Sequence, residues 1–188
     1  MYCKKLIGAK CYLSPISPND AEPFTRWMND LEVTQYLSTV SKQISYPGEV
    51  QFIADMQRTG SPIFSIVDTA TDTVIGNCSL MGVDNVNHNA EVGIVIGEKS
   101  YLSKGYGTEA MSLLLDYGFN ILNLQSIMLR VYEQNKRAIR SYEKVGFKRF
   151  GVRRKSRCIA GEYQGTVYMD ILAEEFTSPF VKKTVAGA

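Results

Sequence analysis

Lys104-Gly105-Tyr106-Gly107-Thr108 is the stretch of this 188-residue chain whose residue types most directly suggest chemistry. It follows a short apolar run and opens a helical pattern. The first N–H groups of a helix have no partner within it, and the helix dipole adds to their attraction for an anion. Glycine lets the backbone come close, and Lys104 brings a full positive charge, so the loop suits phosphate. The plain alternative is a flexible strand-to-helix turn. The P-loop pattern G-x-x-x-x-G-K-[ST] is absent from the chain. The dinucleotide pattern G-x-G-x-x-A is spelled by Gly105-Tyr106-Gly107-Thr108-Glu109-Ala110, with Glu133 as an acid after the next strand, which would make a Rossmann oxidoreductase. Two features oppose it. Residues 98–104 separate the preceding strand from the first glycine, and the strands upstream read as antiparallel hairpins.

Metal chemistry finds no support. Cys3, Cys11, Cys78 and Cys158 form no C-x-x-C pair, and the single histidine, His88, sits in a polar run. Scattered cysteines without a signal peptide predict a reduced, cytoplasmic protein. No window of 18 uninterrupted apolar residues occurs, so no membrane span is predicted. Hydrophobic residues make up 45 % of the chain and charged residues 21 %, which excludes a disordered chain. A net charge of +2 is too small to argue for a nucleic-acid or membrane partner.

The elements that must position these residues follow from periodicity. Residues 6–16 read as a strand ended by Pro15 and Pro18. Residues 19–30 read as a helix capped by Asn19 or Asp20, and 31–37 as a short helical turn. Residues 49–58 carry Val50, Phe52, Ile53 and Met56 at helical spacing. Strands at 63–68 and 73–83 form a hairpin across Thr69-Ala70-Thr71-Asp72. Residues 90–97 read as a buried strand, 108–122 as a helix, 126–132 as a strand, and 136–145 as a helix stopped by Gly146. Strands at 147–159 and 162–172 close the pattern across Ala160-Gly161. The order predicts an α+β fold with a central mixed, mostly antiparallel sheet of about six or seven strands, in one domain over 1–176. Residues 177–188 read as a frayed C-terminal tail.

Two blocks at this spacing resemble the GNAT N-acetyltransferase superfamily. The first is Leu102-Ser103-Lys104-Gly105-Tyr106-Gly107 against [Q/R]-x-x-G-x-[G/A], with Leu102 departing from it. The second is Asn135-Lys136-Arg137-Ala138 through Tyr142 to Gly146-Phe147, against N-x-x-A-x-x-x-Y-x-x-x-G-F. Ala90-Glu91-Val92-Gly93-Ile94 is most similar to the branch of ribosomal-protein-alanine and spermidine N-acetyltransferases.

The resemblance implies acetyl transfer from acetyl-CoA, a cosubstrate, to a primary amine, with no metal. It implies a splay between the fourth and fifth strands (90–97 and 126–132) where the cofactor lies. Ile94, Val95 and Ile96 would hold the pantetheine through backbone N–H groups, and one of these would also serve the oxyanion. Leu102, Ser103, Lys104, Gly105, Tyr106, Gly107 and Thr108 would hold the pyrophosphate. Asn135, a helix N-cap by position, and Ala138 would line the arm. Tyr142 shares a helix face with Ala138 and Ile139. It would act as the general acid toward the leaving thiolate, where pattern alone gives a core tyrosine. Glu91 would be the general base, or merely half of a salt bridge.

Two charge asymmetries complete the reading. Residues 17–59 have an excess of acids, among them Asp30 and Glu32. The expectation is an acidic wall favouring a cationic amine, against plain solvated surface. Lys148, Arg149, Arg153, Arg154, Lys155 and Arg157 form a basic run that would suit RNA or the ribosome. Its single aromatic, Phe150, argues against base stacking, so nucleic acid is not the expected partner. Sheet pairing through a C-terminal strand would give a homodimer.

Overall fold

Alternating burial along the strands sorts the sheet into two faces. In β6 (Ser126–Tyr132), Ile127, Leu129 and Val131 are buried, while Met128, Arg130 and Tyr132 point the other way. The computed structural model describes residues 2–185. Their order is β1 (Leu6–Ile7), β2 (Cys11–Pro15), α1 (Ala21–Met28), α2 (Leu31–Thr34), α3 (Tyr46–Thr59), β3 (Ile63–Asp68), β4 (Val74–Asp84) and β5 (Asn89–Ile96). Then come α4 (Tyr106–Asn120), β6, α5 (Lys136–Val145), β7 (Lys148–Ile159), β8 (Glu162–Leu172) and α6 (Val181–Val185). Eight strands form one sheet in the order β1-β2-β3-β4-β5-β6-β8-β7. Every neighbouring pair is antiparallel except β5 and β6.

The mixed, mostly antiparallel α+β sheet is the one the sequence predicts. The strand count is one higher because the first strand is split. The Glu109 carboxylate accepts the N–H groups of Ala9, Lys10 and Cys11, which turns the chain between β1 and β2. Helix α4 covers one face. Its Met111, Leu114 and Leu115 are at most 1 % exposed, each burial worth roughly 1.5–3 kcal/mol. The opposite face carries a smaller core in which Phe24, Trp27 and Ile53 of α1 and α3 lie with Ile63 and Val74 of β3 and β4. That core has no residue of β5–β8, so this face stays open there, with Phe150 57 % exposed. None of the described helices is long and apolar enough to cross a membrane.

Two local readings change. Ser17 caps a 3-10 turn, Pro18–Asp20, that leads into α1, its hydroxyl accepting the Asn19 N–H. Asp20 holds the N-cap position of α1, but its side chain makes no capping bond there and turns inward, where it accepts the Ser65 hydroxyl at 2.5 Å and the Tyr2 hydroxyl at 2.6 Å. The end of the chain does not fray as read: residues 178–181 dock on α4, while 186–188 lie outside the described residues. Asp116, fully buried among leucines, accepts the Ser178 hydroxyl and the N–H groups of Phe180 and Val181. Asp116→Ala would strand buried donors at about 1–3 kcal/mol each. It should lower stability to urea by about 3 kcal/mol and open Lys182 and Lys183 to trypsin. An unchanged urea midpoint would show that the clasp contributes nothing.

Candidate active site

The parallel pair β5 and β6 is joined over three residues only, Asn89↔Ser126, Ala90↔Ile127 and Glu91↔Met128. Beyond these the strands part, as the resemblance implies. From Val92 to Ile96, β5 keeps its β4 partner but has none on the β6 side. A cleft of about 340 Å³ occupies the gap. Val33, Tyr36 and Leu37 line it from the α2 side, and Ala138, Ser141 and Tyr142 from α5. These come from opposite faces of the sheet, so the cleft runs through it.

Helix α4 begins at the cleft. Its N-cap is Gly105 at φ +90°, and no side chain caps this end, which leaves its first N–H groups open to a ligand. The loop before it is pinned from three sides. Tyr101 and Tyr106 pack edge to face at 5.0 Å and donate to Asp68 at 3.3 and 3.0 Å. Lys10 Nζ donates to the Lys104 carbonyl at 3.0 Å. Burial raises the pKa of Asp68, yet hydrogen bonds from Thr71, Tyr106, Ala70 and Tyr101 outweigh it and hold the carboxyl below its usual range. Thr108 and Ser141 hydroxyls meet at 2.7 Å, tying the start of α4 to α5.

Of the predicted cofactor residues, Ile94, Val95, Ile96, Leu102, Ser103, Gly105, Gly107, Thr108, Asn135 and Ala138 line the cleft. Lys104 and Tyr106 are not among the lining residues, their loop positions being fixed toward Lys10 and Asp68. Asn135 is the N-cap expected of it, accepting the Ala138 N–H at 3.2 Å. Tyr142 lines the cleft, packed against Phe147 at 6.0 Å, and its hydroxyl has no hydrogen bond among the described residues. Burial pushes its pKa up to about 12, with Arg137 pulling slightly the other way.

Glu91 is not a lining residue. Its carboxylate accepts Arg130 Nε at 2.6 Å where the strands begin to part, and its side chain is 25 % exposed. Sequence reasoning missed Arg137, Arg140 and Lys144, which line the cleft along one side of α5. Their spacing of three and then four residues was the available signal. No carboxylate lines the cleft among the described residues, which suits a polyanionic ligand.

Three further readings are corrected. The acidic wall is reduced, because Asp30 and Glu32 share one cation, Lys99 Nζ bridging them at 2.9 Å and 2.7 Å. The dinucleotide reading fails, because a 3-10 turn at Lys99–Tyr101 separates β5 from Gly105 and the sheet has one parallel pair instead of β-α alternation. The basic run is not a uniform surface. Lys148 pairs with Glu175, Arg149 with Glu143, and Arg157 stacks on Tyr132.

A family model described as an acetyltransferase (GNAT) domain matches residues 10–148. A Bacillus licheniformis protein named uncharacterized N-acetyltransferase p20 is 31 % identical over 160 residues, covering 84 % of this chain and 89 % of that one. A spermidine N(1)-acetyltransferase of Escherichia coli (strain K12) is 35 % identical over 101 residues, 54 % of each chain. The crystal structure of spermidine N-acetyltransferase from Vibrio cholerae in complex with CoA and spermine superposes with a TM-score of 0.80. It covers 89 % of this chain and 98 % of that one at 24 % identity, a likeness of fold.

The raised phenol of Tyr142 has a stability consequence. The folded state holds this proton more tightly than the unfolded chain, so the contribution is complete below pH 10 and is lost as pH rises through about 12. Urea midpoints should therefore fall less steeply with alkaline pH in Tyr142→Phe than in the wild type. Parallel slopes would show that this phenol titrates at its ordinary value.

Proposed function

This chain belongs to the GNAT acetyltransferase family, and from that membership we propose that it moves the acetyl group from acetyl-CoA to a primary amine by direct attack in a ternary complex. The observation that carries the reading is an unpartnered, protonated phenol, Tyr142, facing the same gap as a free strand edge and an uncapped helix N-terminus.

The residues fit such a cosubstrate. Open N–H groups at the start of α4 would take the pyrophosphate, while Arg137, Arg140 and Lys144 supply positive charge beside it. The free edge of β5 would pair with the amides of the pantetheine arm as an added strand would. Acetyl-CoA brings the activated acyl group, a thioester.

The chain's own part in the chemistry is placement and proton transfer. Holding amine and thioester in one gap removes the entropy of bringing them together. As the carbon–sulfur bond breaks, Tyr142 gives its proton to the leaving sulfur, and the phenolate is reprotonated by the second proton that the attacking nitrogen sheds in becoming an amide. The incoming ammonium must first lose a proton. Glu91, with one oxygen committed to Arg130, would accept it through water. The activity in the names of the Escherichia coli and Vibrio cholerae relatives makes spermidine the first amine to test.

Calorimetric titration should show acetyl-CoA binding and no NADH binding; the reverse would overturn the reading. Tyr142→Phe should lower kcat by roughly a hundredfold while leaving acetyl-CoA affinity unchanged. Unchanged kcat would return Tyr142 to a packing role. Glu91→Gln should lower kcat about tenfold near pH 7, and the deficit should shrink as pH approaches the amine's own pKa, where the acceptor arrives neutral. A deficit independent of pH, or none, would leave Glu91 as the partner of Arg130 alone.

A further inference from the structure

One cation stands beside the uncapped start of α4 without lining the cleft: Lys10, in the turn between β1 and β2. Its ammonium donates to the Lys104 carbonyl at 3.0 Å, across 94 positions of chain, and lies 5.8 Å from the centroid of the Tyr106 ring. A Cβ placed on Gly105 would lie 3.7 Å from Lys10 Cε. Lys10 has no ion pair among the described residues. A cation at a helix N-terminus stands against the positive end of the dipole, so this placement is unfavourable until an anion arrives.

The root of this side chain is fixed on two sides. The Lys10 N–H donates to Glu109 Oε2 at 2.8 Å, and its carbonyl accepts the Thr69 N–H at 2.9 Å. From there the ammonium reaches one peptide group and orients it. In a trans peptide the C=O and the N–H point in opposite directions, and no peptide among the described residues is cis. With the Lys104 carbonyl drawn to Lys10, the Gly105 N–H points away from it, and that N–H has no hydrogen bond among the described residues. Gly105 lines the cleft and Lys10 does not, so the free N–H lies on the cleft side. Ser103 at φ +60° and Gly105 at φ +90° flank Lys104, an alternation that turns successive N–H groups to one side as an anion cradle.

We propose that Lys10 is a positioning residue for the cosubstrate: it holds the Lys104–Gly105 peptide with its N–H toward the pyrophosphate and places a positive charge behind it. This rests on the acetyltransferase reading above and adds a residue that no motif of the sequence marks. Lys10 does not line the cleft, so it reaches neither the thioester nor the amine. Its effect passes to the phosphates through the loop. It therefore sets the affinity for acetyl-CoA and takes no part in the proton transfers at Tyr142 and Glu91. Arg137, Arg140 and Lys144 meet the same ligand directly, from α5, whereas Lys10 acts from behind the loop.

The experiment titrates wild type, Lys10→Met and Lys10→Arg calorimetrically with three ligands. Acetyl-CoA carries all the phosphates, acetyl-dephospho-CoA keeps the pyrophosphate and lacks the 3′-phosphate, and S-acetylpantetheine, used at millimolar concentration, has neither. Lys10→Met should weaken acetyl-CoA and acetyl-dephospho-CoA by about tenfold each and leave S-acetylpantetheine unchanged. Lys10→Arg, which keeps the charge and the donors, should bind both CoA thioesters within about threefold of wild type. An equal loss for all three ligands in Lys10→Met would make the residue a general support of the fold and overturn the proposal. Unchanged affinity for all three would overturn it too, as would a loss confined to acetyl-CoA, which would put the charge at the 3′-phosphate. In those cases acetyl-CoA binding by the wild type would still uphold the acetyltransferase reading. Absence of acetyl-CoA binding by the wild type would overturn that reading and the positioning role with it.

Discussion

On either side of the gap between β5 and β6, each strand is held to its other neighbour at a glycine. A Cβ on Gly76 of β4 would lie 2.2 Å from the Val95 carbonyl oxygen, so β5 can lie flush against β4 only with no side chain there. On the other side, the Glu133 carboxylate accepts the Gly165 N–H at 2.7 Å, and a Cβ on Gly165 would fall 2.0 Å from that oxygen. Glu133 thereby ties the end of β6 to β8. With β5 drawn one way and β6 the other, the parallel ladder stops after Glu91 and Met128. The acid that the dinucleotide pattern would use, Glu133, is instead bound to β8.

The loop at the mouth of that gap is held with the same economy. Asp68 ends β3 and receives two tyrosine hydroxyls from the loop, while Glu109, in the first turn of α4, takes three N–H groups of the β1–β2 turn. One acid fixes where the loop starts and the other fixes the helix that follows. The carboxylates therefore act as structural acceptors, and none is left facing the cleft among the described residues. An anion binding there meets donors alone, and no local charge opposes it.

What sequence reasoning could read was set by how local the cause is. Helix α5 carries its own N-cap, its own apolar face and its terminal glycine, and it appears where predicted, with Tyr142 in the cleft. The splay was legible only through resemblance, because the pairings at it, β5 with β6 and β6 with β8, join strands far apart in the chain. The C-terminal segment was misread because its polar anchor is Asp116, more than sixty positions earlier. A lone acid following Leu113-Leu114-Leu115 in a buried helix was the available sign that something must come to satisfy it.

The acidic wall is weaker than its summed charge for a different reason: the sum ignores pairing. Asp30 and Glu32 converge on one ammonium, that of Lys99, beside the loop that carries Gly105. The hydrogen bond from Lys99 comes first among the causes that hold the Asp30 carboxyl below its usual range, and the Glu32 N–H adds to it. These are exposed groups, so their value lies in geometry more than stability. They fasten α2, and with it Val33, Tyr36 and Leu37, against the chain leading into α4. The wall on that side is thus mechanically fixed. Across the gap, Arg137, Arg140 and Lys144 of α5 line the cleft with no ion pair among the described residues.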